Sequence, residues 1–230
     1  MVDYTLSKGQ HASPEEGWCA MELVAYLAGE SHSDSPKCVD PALRRFVIGL
    51  NDHLPDDLRQ QLRPYLARMI GAAEDGRAQE RLYMMIDWAL RVVAPEAVEL
   101  RGHRDWADEL RDVEPVVDMA TARVAERVAR DAAERVARDA DAATNATLHH
   151  PAKPIVTAYN AVTSAARGDA YNAGTDVSLA AAYTASGAAS ERAMWVKLLP
   201  SALDLLDRML GDEIVELPPE KKAKAEALAH

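Results

Sequence analysis

Six residues in the first forty make a candidate chemical cluster: Cys19, Glu22, Glu30, His32, Asp34 and Cys38. Four of them fall in one stretch, GESHSDSPKC at 29–38, and the two cysteines are the only ones in the chain. Cys19, His32 and Cys38, with Glu22 beside them, make a mixed donor set that zinc accepts in tetrahedral geometry. The spacing holds no C-x-x-C pair, however, and Cys19 also fits an apolar stripe, where a free cysteine packs as a small hydrophobe. A second chemistry is a Cys–His dyad, Cys19 or Cys38 with His32, its imidazole oriented by Asp34. No Gly-rich oxyanion loop accompanies it. A third is a carboxylate pair, Glu22 and Glu30, but eight helical residues separate the two by about 12 Å, long for acid–base work on one bond. The fourth reading is structural: His32, Ser33 and Asp34 satisfy orphan backbone groups between two helices, and Cys38 packs under the start of the next.

The elements that must position these residues read as helices throughout. A helix is predicted from SPEEGWCAMELVAYLAG, with Ser13 as N-cap, Pro14 at N1, Glu16 completing a capping box, and Cys19, Leu23 and Leu27 on one stripe. Asp40-Pro41 restarts helix, and Leu43, Phe46, Val47 and Leu50 have core spacing. Pro64 interrupts the next segment, and Gly71 and Gly76 bracket a turn. RAQERLYMMIDWALRVV buries Leu82, Met85, Ile86, Ala89, Leu90 and Val93, and Pro95 is expected to end it. A short helix follows over HRDWADELRDV, breaking near Pro115.

Beyond Pro115 alanine dominates. AERVARDA occurs twice in tandem at 125–140, setting Arg127, Asp131, Arg135 and Asp139 in an i, i+4 ladder and pairing Glu126 with Arg130 and Glu134 with Arg138. Val113, Val117, Val124 and Val128 follow 4-7-4 spacing, which predicts a narrow seam turned toward a partner, a second copy included. His149 and His150 sit in a loop, and Asn145-Ala146-Thr147 spells a chance sequon. AYNA, AYNA and AYTA recur every twelve residues from 158, so Tyr159, Tyr171 and Tyr183 face different directions unless the helix breaks. The closing helix, SERAMWVKLLPSALDLLDRMLG, carries Trp195, Leu198, Leu199, Leu203, Leu206 and Leu210 on its apolar side. No segment alternates with period two, so the expected fold is all-α: a multi-helix bundle with long Ala-rich helices in its C-terminal half. The expected organisation is a flexible arm (1–12), a helical bundle carrying the chemical loop (13–114), an Ala-rich hairpin plus closing helix packed with it as one unit (115–212), and a tail (213–230).

A formal net charge of −11 argues against a phosphate-binding surface, so no nucleic-acid partner is expected. No run of 18 apolar residues predicts a membrane span, and the first residues hold no apolar signal region, so the expected location is the cytoplasm. No Walker loop, G-x-G-x-x-G or H-E-x-x-H is present.

The residues also carry a resemblance. GWCAMELVAYLAGESHSDSPKCVDP, then NDHLPDD at 51–57, Asp87-Trp88 and the Ala-rich repeats resemble a family of helical proteins from actinobacteria and their phages. Its pattern is C-x-M-E, L-A-G-E-x-H-S-D-x-P-x-C and W-N-D-x-L-P-D-D; Leu50 departs from it where the family carries Trp. The resemblance implies a helical fold and a phage–host setting, some relatives being labelled immunity proteins, and it implies no catalytic role. The expectation is therefore a non-enzymatic protein that binds another protein or itself, without a cofactor. The alternative is a metal-binding enzyme or sensor, with zinc on Cys19, His32 and Cys38 beside Glu22 and Asp34.

Overall fold

The computed structural model describes residues 4–142, 153–167 and 169–211. These residues form helices α1 (Ala20–Ala28), α2 (Pro41–His53), α3 (Asp56–Arg59), α4 (Arg63–Leu66), α5 (Ala78–Trp88), α6 (Ala94–Glu99), α7 (Arg104–Arg111), α8 (Met119–Ala142), α9 (Lys153–Ala166), α10 (Ala170–Gly187) and α11 (Glu191–Leu210). The only pairing of extended backbone among them is an isolated bridge from Leu6 to Trp18. The fold is all-α, and the N- and C-terminal halves share one hydrophobic core.

α10 is the axis of that core. It packs against α2, α5, α6, α9 and α11, which leaves it little solvent-facing surface. Ala173, Val177, Ala180, Ala181, Ala182 and Ala185 are buried along it. Small side chains let several helices approach one rod at once, and that is why the repeat is rich in alanine. α9 lies between α10 and α8 in the same way. α10 is thus an interior rod and α9 largely so, whereas α8 keeps one face exposed.

Other expectations change with the tertiary contacts. The first helix begins at Ala20, capped by Cys19, and not at Ser13. Residues 4–12 are no loose arm: Leu6 is buried, and Gln60 holds its backbone at both N–H and C=O at 2.9 Å. Helix continues past Pro95, because a π-helical stretch at Ala89–Val93 re-registers the backbone bonds before Pro95 enters the first turn of α6, where its missing N–H is harmless. The core positions foreseen on α2 and α5 are buried as the spacing required. The tyrosine repeat is split between α9 and α10, and Tyr159 lies against the Arg130 guanidinium of α8.

The four valines do not share a helix. Pro115 and an Asp118 side chain that accepts from Thr121 N delay the start of α8 to Met119, so Val113 and Val117 precede it. The buried stripe of α8 is instead Ala122, Ala125, Ala129, Ala132, Ala133 and Val136. Val113 and Val128 pack at the edge of the core, whereas Val117 and Val124 are 67% and 43% exposed. In the charge ladder Glu126 and Arg130 pair at 2.9 Å, but Arg135 turns to Glu109 at 2.7 Å and lies over the Trp106 ring. Arg138 donates to the Glu134 carbonyl. The sequon, His149, His150 and the 213–230 tail lie outside the described residues.

Candidate functional site

The six chemical residues divide between two places. The first is a node around Glu22, in the opening turn of α1. Cys19 caps this helix reciprocally: its Sγ accepts from Glu22 N at 3.4 Å, and the Glu22 carboxylate accepts from Cys19 N at 2.7 Å. The capping box foreseen six residues upstream therefore forms here, with a thiol in the usual place of a hydroxyl. The same carboxylate accepts from His11 N at 2.6 Å and meets His11 Nδ1 at 2.8 Å. His32 Nε2 donates to the His11 carbonyl at 3.0 Å and stands 3.8 Å from Glu22 Oε1. The His32 ring meets Trp18 edge-on, and its Nδ1 has no hydrogen-bond partner among the described residues. Ser7 closes the node, its hydroxyl 2.9 Å from His11 Nε2.

Glu22 is fully buried. Burial alone would raise its pKa, but the Cys19 and His11 backbone N–H groups and the His11 side chain outweigh that and hold it below the usual carboxylate range. The node is charged, and every direct contact to the carboxylate comes from a donor.

The second place is the loop after α1. Glu30 accepts from Lys37 N at 2.7 Å and Cys38 N at 2.9 Å, and the Cys38 carbonyl accepts from Gly71 N and Ala73 N. Asp34 accepts from the Ser35 hydroxyl at 3.1 Å and orients no imidazole. Asp40 caps α2 through Leu43 N at 2.8 Å. Ser33 and Glu30 thus satisfy backbone N–H groups of this loop and His32 a backbone carbonyl, close to the structural reading, whereas Asp34 meets the Ser35 side chain.

The thiols therefore serve different networks, Cys19 with Glu22 and Cys38 with Glu30. Both are pushed up to about 12: Cys19 by burial and the nearby Glu22 charge, Cys38 by burial and its hydrogen bond with Glu30. Neither is primed as a nucleophile, and the Cys–His–Asp arrangement is not assembled. Glu22 and Glu30 likewise face separate partners. Among the described residues no three His, Cys, Asp or Glu side chains gather as metal ligands. No helix among them is long and apolar enough to cross a membrane.

Sequence reasoning missed Ser7 and His11, which sit in a segment without periodicity. It also missed Asn51, which takes a bond from Ala20 N and gives one to the Ser7 carbonyl, and Arg59, which donates to the Asn51 and Leu54 carbonyls. Asn51 and Asp52 did stand inside the N-D-x-L-P-D-D motif, and their job is now visible: Asp52 accepts from Gly9 N at 2.9 Å, so the pair clasps residues 7–9.

The fold and the node define an all-α bundle with a buried carboxylate–imidazole node at the start of α1. Comparison with models of known protein families, with curated proteins and with solved structures gave no match.

Proposed function

We propose that this chain works by binding protein, and that a second copy of itself is the partner its surface fits. The observation that carries this reading is the outer face of α8. Once the alanine stripe is turned inward, Val124 remains exposed there, Val117 stands out just before the helix, and Val156 of α9 is 37% exposed. At 100° per residue Val124, Arg127, Asp131 and Arg138 fall within about 60° of one another. An apolar residue flanked by charges of both signs suits an antiparallel copy of the same helix, in the register that sets Arg127 of each copy against Asp131 of the other. The resemblance to phage and actinobacterial proteins makes antagonism or immunity one use of such binding.

Size exclusion with light scattering tests it. The expected result is a dimer at high protein concentration that Val117→Asp with Val124→Asp returns to monomer while the helical signal is unchanged. A clean monomer at the highest attainable concentration, together with pulldowns that return no protein partner, would overturn the reading. Stoichiometric zinc in the purified protein, reduced by Cys19→Ser, would replace it with the metal-dependent alternative.

A further inference from the structure

Three groups of the Glu22 node stand in the order hydroxyl, imidazole, carboxylate. The Ser7 hydroxyl is 2.9 Å from His11 Nε2, and His11 Nδ1 is 2.8 Å from Glu22 Oε2. An ionised carboxylate only accepts, so the proton of the second bond belongs to His11 Nδ1. With the imidazole neutral, Nε2 is then the bare nitrogen and accepts from the Ser7 hydroxyl. This is the tautomer that a serine nucleophile needs from its base. Glu22 is itself locked by the Cys19 and His11 backbone N–H groups, so the imidazole has a fixed anchor.

Fastening the 4–18 segment does not require this hydroxyl. Backbone bonds already do it, among them the Ser7 N–H to Trp18 O at 2.8 Å and the Ser7 carbonyl to Asn51 Nδ2 at 2.9 Å. The hydroxyl's other contact, to Trp18 O at 3.4 Å, is long and competes for the same proton. Ser7 is half-buried, and the residue beside it is Gly17 with φ 142°. A Cβ at position 17 would stand 2.8 Å from Ser7 Oγ and 3.0 Å from the His11 ring. Glycine at position 17 thus lets backbone pack directly against the hydroxyl–imidazole pair, and in so crowded a setting only a small reactant can reach the half-buried Ser7 hydroxyl.

We infer that Ser7, His11 and Glu22 form a nucleophilic centre that takes the acyl group of a small carboxylic ester, with Ser7 as nucleophile, His11 as base and Glu22 as positioning residue. Ser7 Oγ bonds to the carbonyl carbon as its proton passes to His11 Nε2. The bond from that carbon to the alcohol oxygen breaks, and the alcohol leaves with the proton from His11. Water then attacks the acyl-serine and gives a proton to His11; Ser7 Oγ leaves, recovers that proton, and the carboxylic acid departs. This inference is independent of how the chain associates.

A fluorophosphonate probe tests it on the full chain, with the modified residue located by peptide mass spectrometry. The expected adduct is on Ser7, absent in Ser7→Ala and formed about 100-fold more slowly in His11→Gln, the scale of one general base. Its rate should vary with pH as general-base catalysis requires, and Glu22→Gln, or Glu22→Asp if the first does not fold, should shift that pH profile. A purely structural Glu22 would leave the profile in place. Release of 4-nitrophenol from its acetate ester should follow the same order of variants. The inference is overturned if the folded wild type carries no adduct on Ser7, or if the labelling rate is flat with pH and unchanged by His11→Gln.

Discussion

Glu22 carries a charge with none of its surface exposed, and three donors hold it ionised. Its lowered pKa makes the node a source of acid sensitivity. A carboxylate of this kind adds stability at pH values above its unfolded value, about 4.3, and loses that contribution as pH falls through the lower folded value. Asp176 on α10 has the opposite sign. Burial pushes it up to about 6, against the pull of the Ser164 hydroxyl 3.5 Å away. The folded chain therefore favours the protonated form of Asp176, which strengthens the fold as pH drops from 6 toward its unfolded value near 3.9 and costs stability at neutral pH. Denaturant titrations across pH should separate the two: Glu22→Gln destabilises by roughly 2–3 kcal/mol at pH 7 and flattens the loss below pH ~4.3, whereas Asp176→Asn stabilises by about 1 kcal/mol at pH 7 and is neutral near pH 4. An Asp176→Asn variant less stable than the wild type at pH 7 would show that solvent reaches that carboxylate.

At the scale of elements, α2 crosses α10 so closely that two positions leave no room for a side chain. A Cβ on Gly174 would lie 2.3 Å from the Ala42 carbonyl oxygen, and one on Gly49 would lie 2.0 Å from Ser178 Oγ. The two positions differ in what opposes them. Gly174 faces backbone, which cannot rotate away, so Gly174→Ala must push the helices apart at a cost of about 3 kcal/mol. Gly49 faces a side chain, so Gly49→Ala should be destabilising alone and largely rescued by Ser178→Gly. Thermal melts of the two single variants and of the Gly49→Ala/Ser178→Gly double variant check this, and equal damage with and without Ser178→Gly would contradict it. Helix type was legible from periodicity at both crossings, but a glycine inside an apolar pattern says only that something comes close. Which helix it is depends on chain connections far away in sequence.

Across the whole molecule, the segment before α1 behaves as a strap. Leu6 enters the core beside Trp18, Tyr4 and Tyr26 flank the Trp18 ring, and Gln60, Asn51 and Asp52 hold the backbone of residues 6–9. At the far end of the chain, Arg81 is buried and joins Asp75 and the Ala72 carbonyl to the Met209 carbonyl of α11, while Arg77 reaches the Arg208 and Met209 carbonyls. Removing residues 1–12 would strip Glu22 of its His11 partners and uncover Trp18. The expected loss is about 3–5 kcal/mol, read as a lowered urea midpoint. A midpoint within error of the full chain would return this segment to the loose arm that its composition suggested.

Periodicity, caps and composition by themselves determined that the chain is helical, which faces of α2, α5 and α11 are apolar, and that Asp40 starts α2, because each depends on residues within a few turns of one another. The chemical residues were visible as types, but their partnerships were not. Cys19 and Cys38 read as one set and belong to two; Glu22 gained its long-range partner in His11, which meets Ser7 in turn, in a stretch whose fold is dictated by Asn51, Asp52 and Gln60. Alanine-rich helices read as free rods, and one of them, α10, became the centre of the bundle. Only the tertiary structure could decide these points, since a buried charge or a small side chain has meaning only through what long-range packing sets against it.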